Sequence, residues 1–238
     1  MAAKPPAYDR QLHFFPGVRQ MIWPVAGKTS IFAEAWGGEE PDPSIKYDVM
    51  KPRPTTPGRY RIFSYAPYQT NTWNMSKIAW GTRLSIDASG RHLLYESGLT
   101  NRPWRRVEDK IPAATLDAIR AHYYSLYGSS GKHDTNGDGI PDTWVFNDFG
   151  PRAVRYFRDK NKNKKLDKGE SLSGEMIHTT PDNEAQVATG DTVRLAPSHG
   201  CIHVNPTERE QLYMAGAFDR GVELIIHPYG ESVPPDMK

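Results

Sequence analysis

The chain has 238 residues, of which 37% are hydrophobic and 24% charged. Gly and Pro number 20 each, a load that favours short strands and loops over a helical bundle, and the length is enough to bury about 70% of the unfolded chain's surface without a disulfide. A net charge of +2 is no footing for a nucleic-acid binder, and no stretch approaches the roughly 18 unbroken apolar residues of a membrane span.

The segment from Met1 to Arg10 has no continuous apolar core like that of a signal peptide. Strands are expected at Gln11 to Phe15 and Met21 to Val25, separated by a Pro16-Gly17 turn, and at Gly58 to Ser64 after the turn Thr55-Thr56-Pro57-Gly58. Lys77 to Ile86 and Arg91 to Ser97 read as a strand pair around Ala88-Ser89-Gly90. A helix is expected from Ala113 to Tyr127, where Leu116, Ile119 and Tyr123 recur at helical spacing. A second is expected from Pro151 to Arg158, with Val154 and Phe157 three apart. Ser171 to Thr179 reads as a strand. A third helix starts at Thr207, with Thr207 and Glu210 as a capping box, and a strand from Val222 to Ile226 follows Gly221. Together these predict a mainly β fold with a mixed or antiparallel sheet core and about three helices. One domain spanning 1–238 is expected, with 128–172 as an inserted region rich in Asp, Asn and Lys.

That region holds two candidate cation loops. Asp159, Asn161, Asn163, Lys165, Asp167 and Glu170 occupy positions 1, 3, 5, 7, 9 and 12 of a twelve-residue loop. Calcium takes six to eight oxygens, and such a loop offers alternating side chains, a backbone carbonyl at position 7 and a bidentate Glu at position 12. The stretch resembles an EF-hand loop, with Lys164 at the position usually held by glycine. Asp134, Asn136, Asp138, Gly139 and Asp142 form a second candidate, which lacks the final glutamate. Polar Asx-turn loops would also explain these residues. The expected cofactor is calcium as a structural ion, with none needed for catalysis.

Cys201 is the sole cysteine, so it forms no internal disulfide. It is either buried filler or a thiol with a chemical role. It lies in Ser198-His199-Gly200-Cys201-Ile202-His203-Val204-Asn205, among small and polar residues. A thiol needs a base or a positive neighbour to act as a nucleophile near neutral pH. His178, at the end of Glu175-Met176-Ile177-His178-Thr179, lies 23 positions upstream, a gap that permits a strand, a loop and a return beside the first strand.

These residues resemble the L,D-transpeptidase catalytic domain, also called the YkuD-like domain. The likeness rests on His178 with Thr179, on Ser198-His199-Gly200-Cys201 followed by Ile202 and His203, and on Thr56-Pro57-Gly58-Arg59-Tyr60-Arg61-Ile62, which is similar to the family's early strand. It covers about residues 50 to 227 with interruptions. His203 stands where the family usually has Arg or Asn. The resemblance implies an enzyme of peptidoglycan stem peptides. Cys201 would attack the carbonyl before D-Ala at position four and form a thioester, D-Ala would leave, and an amine, a D-amino acid or water would take the acyl group. It also implies His178 as the base, a Thr179 carbonyl orienting it, amides near Gly200 and Cys201 for the oxyanion, His199 lining the pocket and Ser198 shaping the loop. His203 and Asn205 are the candidate substrate contacts, His203 meeting a carboxylate when protonated. Tyr65, Tyr68, Trp73 and Trp80 are candidates for a peptide groove or for packing.

The competing reading is a non-catalytic, calcium-stabilised wall-binding or interaction module. Peptidoglycan lies outside the cytoplasmic membrane. A protein made in the cytoplasm without an evident leader would then act in the periplasm or at the cell wall, as an effector carried by a secretion machine into a target cell, with an immunity protein as partner.

Overall fold

A computed structural model describes residues 10–25, 29–40, 53–101 and 103–237. It divides into two compact units, one of residues 1–66, 153–178 and 194–238, the other of 67–152 and 179–193. The expected 128–172 insertion is therefore shared between the two.

The first unit is a closed barrel. Its strands are β1 (Gln11–Phe15), β2 (Gln20–Trp23), β3 (Ile31–Trp36), β4 (Gly58–Ala66), β8 (Ala153–Phe157), β9 (Ile177–His178), β10 (Ile202–Val204) and β11 (Glu223–Ile226). They run around the barrel in the order β1-β11-β4-β8-β9-β10-β3-β2. The β1–β11 and β9–β10 pairs are parallel and the other pairs antiparallel, so the sheet is mixed. Its apolar core draws alternate residues from each strand, among them Leu12, Phe14, Ile62, Tyr156, Ile177, Ile202 and Leu224. Helix α3 (Pro206–Met214) adds Leu212 to that core.

The second unit has a three-stranded sheet of β5 (Leu84–Ile86), β6 (Leu93–Glu96) and β7 (Trp104–Arg106), with helices α1 (Leu116–Tyr127) and α2 (Pro181–Thr189). Its own core holds Trp144, Phe146, Ile119 and Tyr123. The mainly β expectation holds, with a mixed sheet and three α-helices among the described residues.

Several local expectations are corrected. Within Pro151 to Arg158, Ala153–Phe157 is strand rather than helix: β8 pairs with β4 from Ala66↔Ala153 to Arg61↔Phe157, and a bulge in β4 between Ile62 and Ser64 shifts the register. β8 is buried on both faces, with Ala153, Val154, Tyr156 and Phe157 all inside, so it lacks the alternation of a half-buried strand and the spacing of Val154 and Phe157 imitates a helix. The Asp159 loop is consequently delivered by a strand. Of Ser171 to Thr179, only Ile177 and His178 are strand, although Leu172 bridges to Phe157. Of Lys77 to Ile86, only Leu84–Ile86 is strand, and Lys77 ends a short 3-10 turn that starts at Met75. Asn205, not Thr207, caps α3: its side chain accepts from the Thr207 amide at 3.1 Å with Pro206 in the first turn, while Glu210 pairs with Arg209 at 2.7 Å.

His13 of β1 is almost fully buried and stacks on His227, whose ring also lies 3.8 Å from that of Phe15. His13 Nδ1 is 3.0 Å from His227 Nε2, and His227 Nδ1 is 2.9 Å from Glu231. Burial lowers the His13 pKa to about 4, with the neighbouring His227 adding to the effect. Between the usual histidine value and that one, the unfolded chain binds a proton that the folded chain refuses, so stability falls as pH falls through this window. Urea unfolding at pH 7.5 and pH 4 should therefore show a loss at acid pH. His13→Phe, which keeps a ring but cannot titrate, should shrink that loss by about 2–3 kcal/mol. An unchanged pH dependence in His13→Phe would disprove this account.

Candidate active site

The candidate site lies on the barrel wall where β9 and β10 pair in parallel. The register is Ile177↔Ile202 and His178↔His203. Ile177, Ile202 and Val204 belong to the barrel core, so alternation turns His178 and His203 to the opposite face. There the two imidazoles meet edge to face, with ring centroids 4.9 Å apart. On the next strand, β3, Trp36 is the partner of His203 and carries the Arg19 guanidinium over its ring at 3.7 Å.

Cys201 stands directly before β10, two positions from His203, where alternation would give it the same face. The residue keeps some exposed surface, yet the dense protein shell around its thiol desolvates it. Desolvation is the main reason its pKa rises to about 11. The Met176 backbone and Arg53 favour the thiolate, while Glu175 opposes it. Near neutral pH Cys201 therefore rests as a thiol, and it could act as a nucleophile only if a base took its proton.

The loop before Cys201 is shaped by Ser198. The buried Ser198 accepts from the Gly200 amide at 3.0 Å, and its hydroxyl donates to the Cys201 carbonyl in a short hydrogen bond. Its own amide donates to the Gly37 carbonyl at 3.0 Å. Gly200 has φ +103°, and a Cβ there would lie 3.2 Å from Arg53 Nε and 3.3 Å from Glu175 Oε1. A side chain at 200 is disfavoured by both conformation and space. His199 is exposed, and its carbonyl accepts from Arg53 Nε at 3.1 Å.

The expectations for His203 and Asn205 are revised. His203 Nδ1 faces the Ala196 carbonyl at 3.0 Å, and burial lowers its pKa, with His199 nearby acting in the same direction. It is thus poorly suited to meet a carboxylate as a cation near neutral pH. The Asn205 side chain caps α3. Thr179 belongs to the second unit, where its buried hydroxyl donates to Glu184 in a short hydrogen bond.

Two residues escaped the sequence reading. Glu175 is 6% exposed, and both its carboxylate oxygens are engaged by Thr56, Oε1 by the hydroxyl at 2.7 Å and Oε2 by the amide at 3.2 Å. The available signal was a carboxylate three residues before His178, next to an apolar strand. Arg53 is the other. Its segment is held by neighbours: the Thr55 hydroxyl accepts from the Gly38 amide at 2.9 Å, and the Thr55 amide donates to Tyr229 at 2.9 Å. The expected groove aromatics are packing residues: Tyr65 lies against Tyr213 and Phe218 in the barrel unit, while Tyr68 and Trp73 lie against Phe149 and Trp80 joins the core of the second unit.

Both acidic loops curl around their own amides. Asp159 accepts from the amides of Asn163 at 3.1 Å and Lys164 at 2.9 Å, and Glu170 from those of Lys160 at 2.7 Å and Asp167 at 3.1 Å. Asn161 and Asn163 both donate to Asp167. Lys165 is exposed. Lys164 has φ +64°, the left-handed turn that the missing glycine would make without strain. In the second unit, Asp134 accepts from the amides of Gly137 and Gly139, Asp138 from that of Ile140 and from the Asn136 side chain, and Asp142 from that of Thr135. No group of three His, Cys, Asp or Glu is disposed to hold a metal among the described residues. Calcium also draws on amide and backbone oxygens, which these loops supply.

No family model, curated protein or solved structure matches the chain. The likeness to L,D-transpeptidases accordingly rests on the motif residues alone. Among the described residues, no helix is long and apolar enough to cross a membrane.

The thiol environment carries a direct test. The rate at which iodoacetamide modifies Cys201 should climb with pH to an inflection near 11. Glu175→Gln, which removes the opposing carboxylate, should move the inflection down. An inflection at the ordinary cysteine value in the native protein would contradict the desolvated thiol described here.

Proposed function

We propose that the protein is a cysteine-dependent L,D-transpeptidase or L,D-carboxypeptidase of peptidoglycan stem tetrapeptides. The observation that carries this reading is the β9–β10 register, which sets His178 against His203 beside the loop that ends in Cys201. In the reaction, His178 takes the Cys201 proton as Sγ attacks the carbonyl that precedes D-Ala. The tetrahedral oxyanion collapses to a thioester, and D-Ala leaves as an amine with the proton returned by His178. Because the Gly200 amide is taken up by Ser198, the Cys201 amide is the better oxyanion donor. Water then gives the tripeptide, and a second stem amine gives a crosslink. The substrate sets the place of action at the cell wall. Delivery as an antibacterial effector, with an immunity protein as partner, belongs to the same proposal.

Purified muropeptides incubated with the protein should lose D-Ala from tetrapeptides, as followed by mass spectrometry. Cys201→Ala should abolish the release and His178→Ala should slow it about 10²–10⁴-fold. Full turnover in Cys201→Ala would sink the mechanism.

Calcium is proposed as a structural ion of the Asp159–Glu170 loop, with the Asp134–Asp142 loop as a second site. The supporting observation is that Asp159, Asn161, Asn163, Asp167 and Glu170 are tied together by the loop's own hydrogen bonds. An ion that binds only the folded chain stabilises it by mass action. At a hundredfold excess over Kd, calcium should raise the unfolding midpoint by about 5–8 °C relative to chelator, and more than magnesium does. Glu170→Gln should erase most of this shift. If neither Glu170→Gln nor Asp159→Ala alters the calcium response, this site is wrong.

A further inference from the structure

We propose that Arg53 is the carboxylate-recognising residue of the Cys201 site, a specificity determinant that binds an anionic group on the molecule whose carbonyl meets the thiol. Four observations converge on it. The guanidinium is anchored rather than free to roam, with Nε donating to the His199 carbonyl in the loop that presents the nucleophile. It borders the backbone slot at Gly200, one residue before Cys201, since a Cβ on Gly200 would lie 3.2 Å from Arg53 Nε. Arg53 is exposed, and among the described residues its one side-chain hydrogen bond is to His199 and it joins no ion pair. Its two terminal nitrogens therefore have no partner among the described residues, and a guanidinium's donor pair is matched to a carboxylate. Its backbone, finally, is wedged in place: a Cβ on Gly38 would lie 1.6 Å from the Arg53 carbonyl oxygen, and Gly38 bridges to Ser198.

The charged neighbours favour this assignment. Glu175 also borders the Gly200 slot, but both its oxygens are held by Thr56 and it makes no ion pair with Arg53. His203, the imidazole paired with His178, favours its neutral form. Among the described residues, Arg53 is the one whose guanidinium is bonded to the loop that carries Cys201. Under the wall-peptide reading, on which only the ligand's name depends, the carboxylate is that of the terminal D-Ala or of the diamino acid before it.

The test uses small thiol reagents, so it stands apart from wall chemistry. Iodoacetate and iodoacetamide both place a carbon on Sγ: an S–C bond forms, iodide leaves and the thiol proton passes to solvent. Only iodoacetate brings a carboxylate. Cys201 is the sole cysteine, so the mass gain of the intact chain reports this site alone. The ratio of the iodoacetate rate to the iodoacetamide rate should be higher in the folded protein than in the urea-unfolded chain. Arg53→Gln should lower that ratio about three- to fivefold, the scale of one exposed charge pair, while Arg53→Lys should keep most of it. Added salt should reduce the ratio in the native protein, a measurement that needs no variant. A ratio unchanged in Arg53→Gln, or insensitive to salt in the native protein, would overturn the proposal. Failure to release D-Ala from any muropeptide would instead overturn the wall reading and leave the ratio as it is.

Discussion

The parallel pairing of β9 with β10 is the contact on which both the barrel and the site depend. β9 has only two strand residues, yet it joins β8 on one side to β10 on the other and so keeps the barrel closed. The same pairing sets His178 against His203 and brings the end of the Cys201 loop to Met176, whose carbonyl accepts from the Ile202 amide at 2.8 Å. Parallel neighbours need a crossover, and here 23 residues intervene between His178 and Ile202. A slip of one residue would turn His178 into the core and Ile177 out of it. The burial of Ile177, Ile202 and Val204 in one apolar cluster penalises that slip. Packing energy in the barrel thereby fixes which face the histidines occupy.

The electrostatics around Cys201 balance a penalty against a partial remedy. Desolvation holds the thiol protonated, and Glu175 adds to that, while Arg53 and the Met176 backbone work the other way. A thiol kept neutral at rest is a weak target for stray oxidants and electrophiles. In the proposed reaction it becomes a nucleophile only when a substrate carbonyl and the His178 base act together. Glu175 is itself kept in place by Thr56, and Thr55, one residue earlier, is tied to Gly38 and Tyr229. One short segment ahead of β4 therefore carries the anchor of the buried carboxylate and the exposed guanidinium.

The Asp159 loop meets the barrel through Arg61 of β4. Arg61 Nε lies 3.6 Å from Asp159, and its terminal nitrogen lies 3.6 Å from Glu223 of β11, which also takes two bonds from Arg59. A calcium ion at position 1 of the loop would compete with Arg61 for the same carboxylate. The Asp159 carboxylate is thus answered within the barrel unit, which ties the start of the loop to β4.

Much of the local structure was legible in the sequence, because short-range physics decides it. Gln11 to Phe15 became β1, Gly58 to Ser64 became most of β4, Leu116, Ile119 and Tyr123 share the buried face of α1, and Val222 to Ile226 contains β11. Cys201 and His178 could be singled out by residue type and neighbours alone, and Lys164 could be seen to need a left-handed turn, as its φ of +64° bears out. What the chain hid were the contacts set by partners far away in sequence. β8 is a strand because β4 pairs with it, and burial on both of its faces hid the alternation that would have marked it. The α2 helix carries too few apolar residues to announce itself, though Thr180, Pro181 and Gly190 bracket it. Arg53 and Glu175 meet only because the 121 residues between them fold back to one glycine, Gly200, whose missing side chain leaves room for both. Propensity and motif act over a few residues and can be read from the sequence, whereas register, burial and the field at a thiol are sums over neighbours that only the closed barrel assembles.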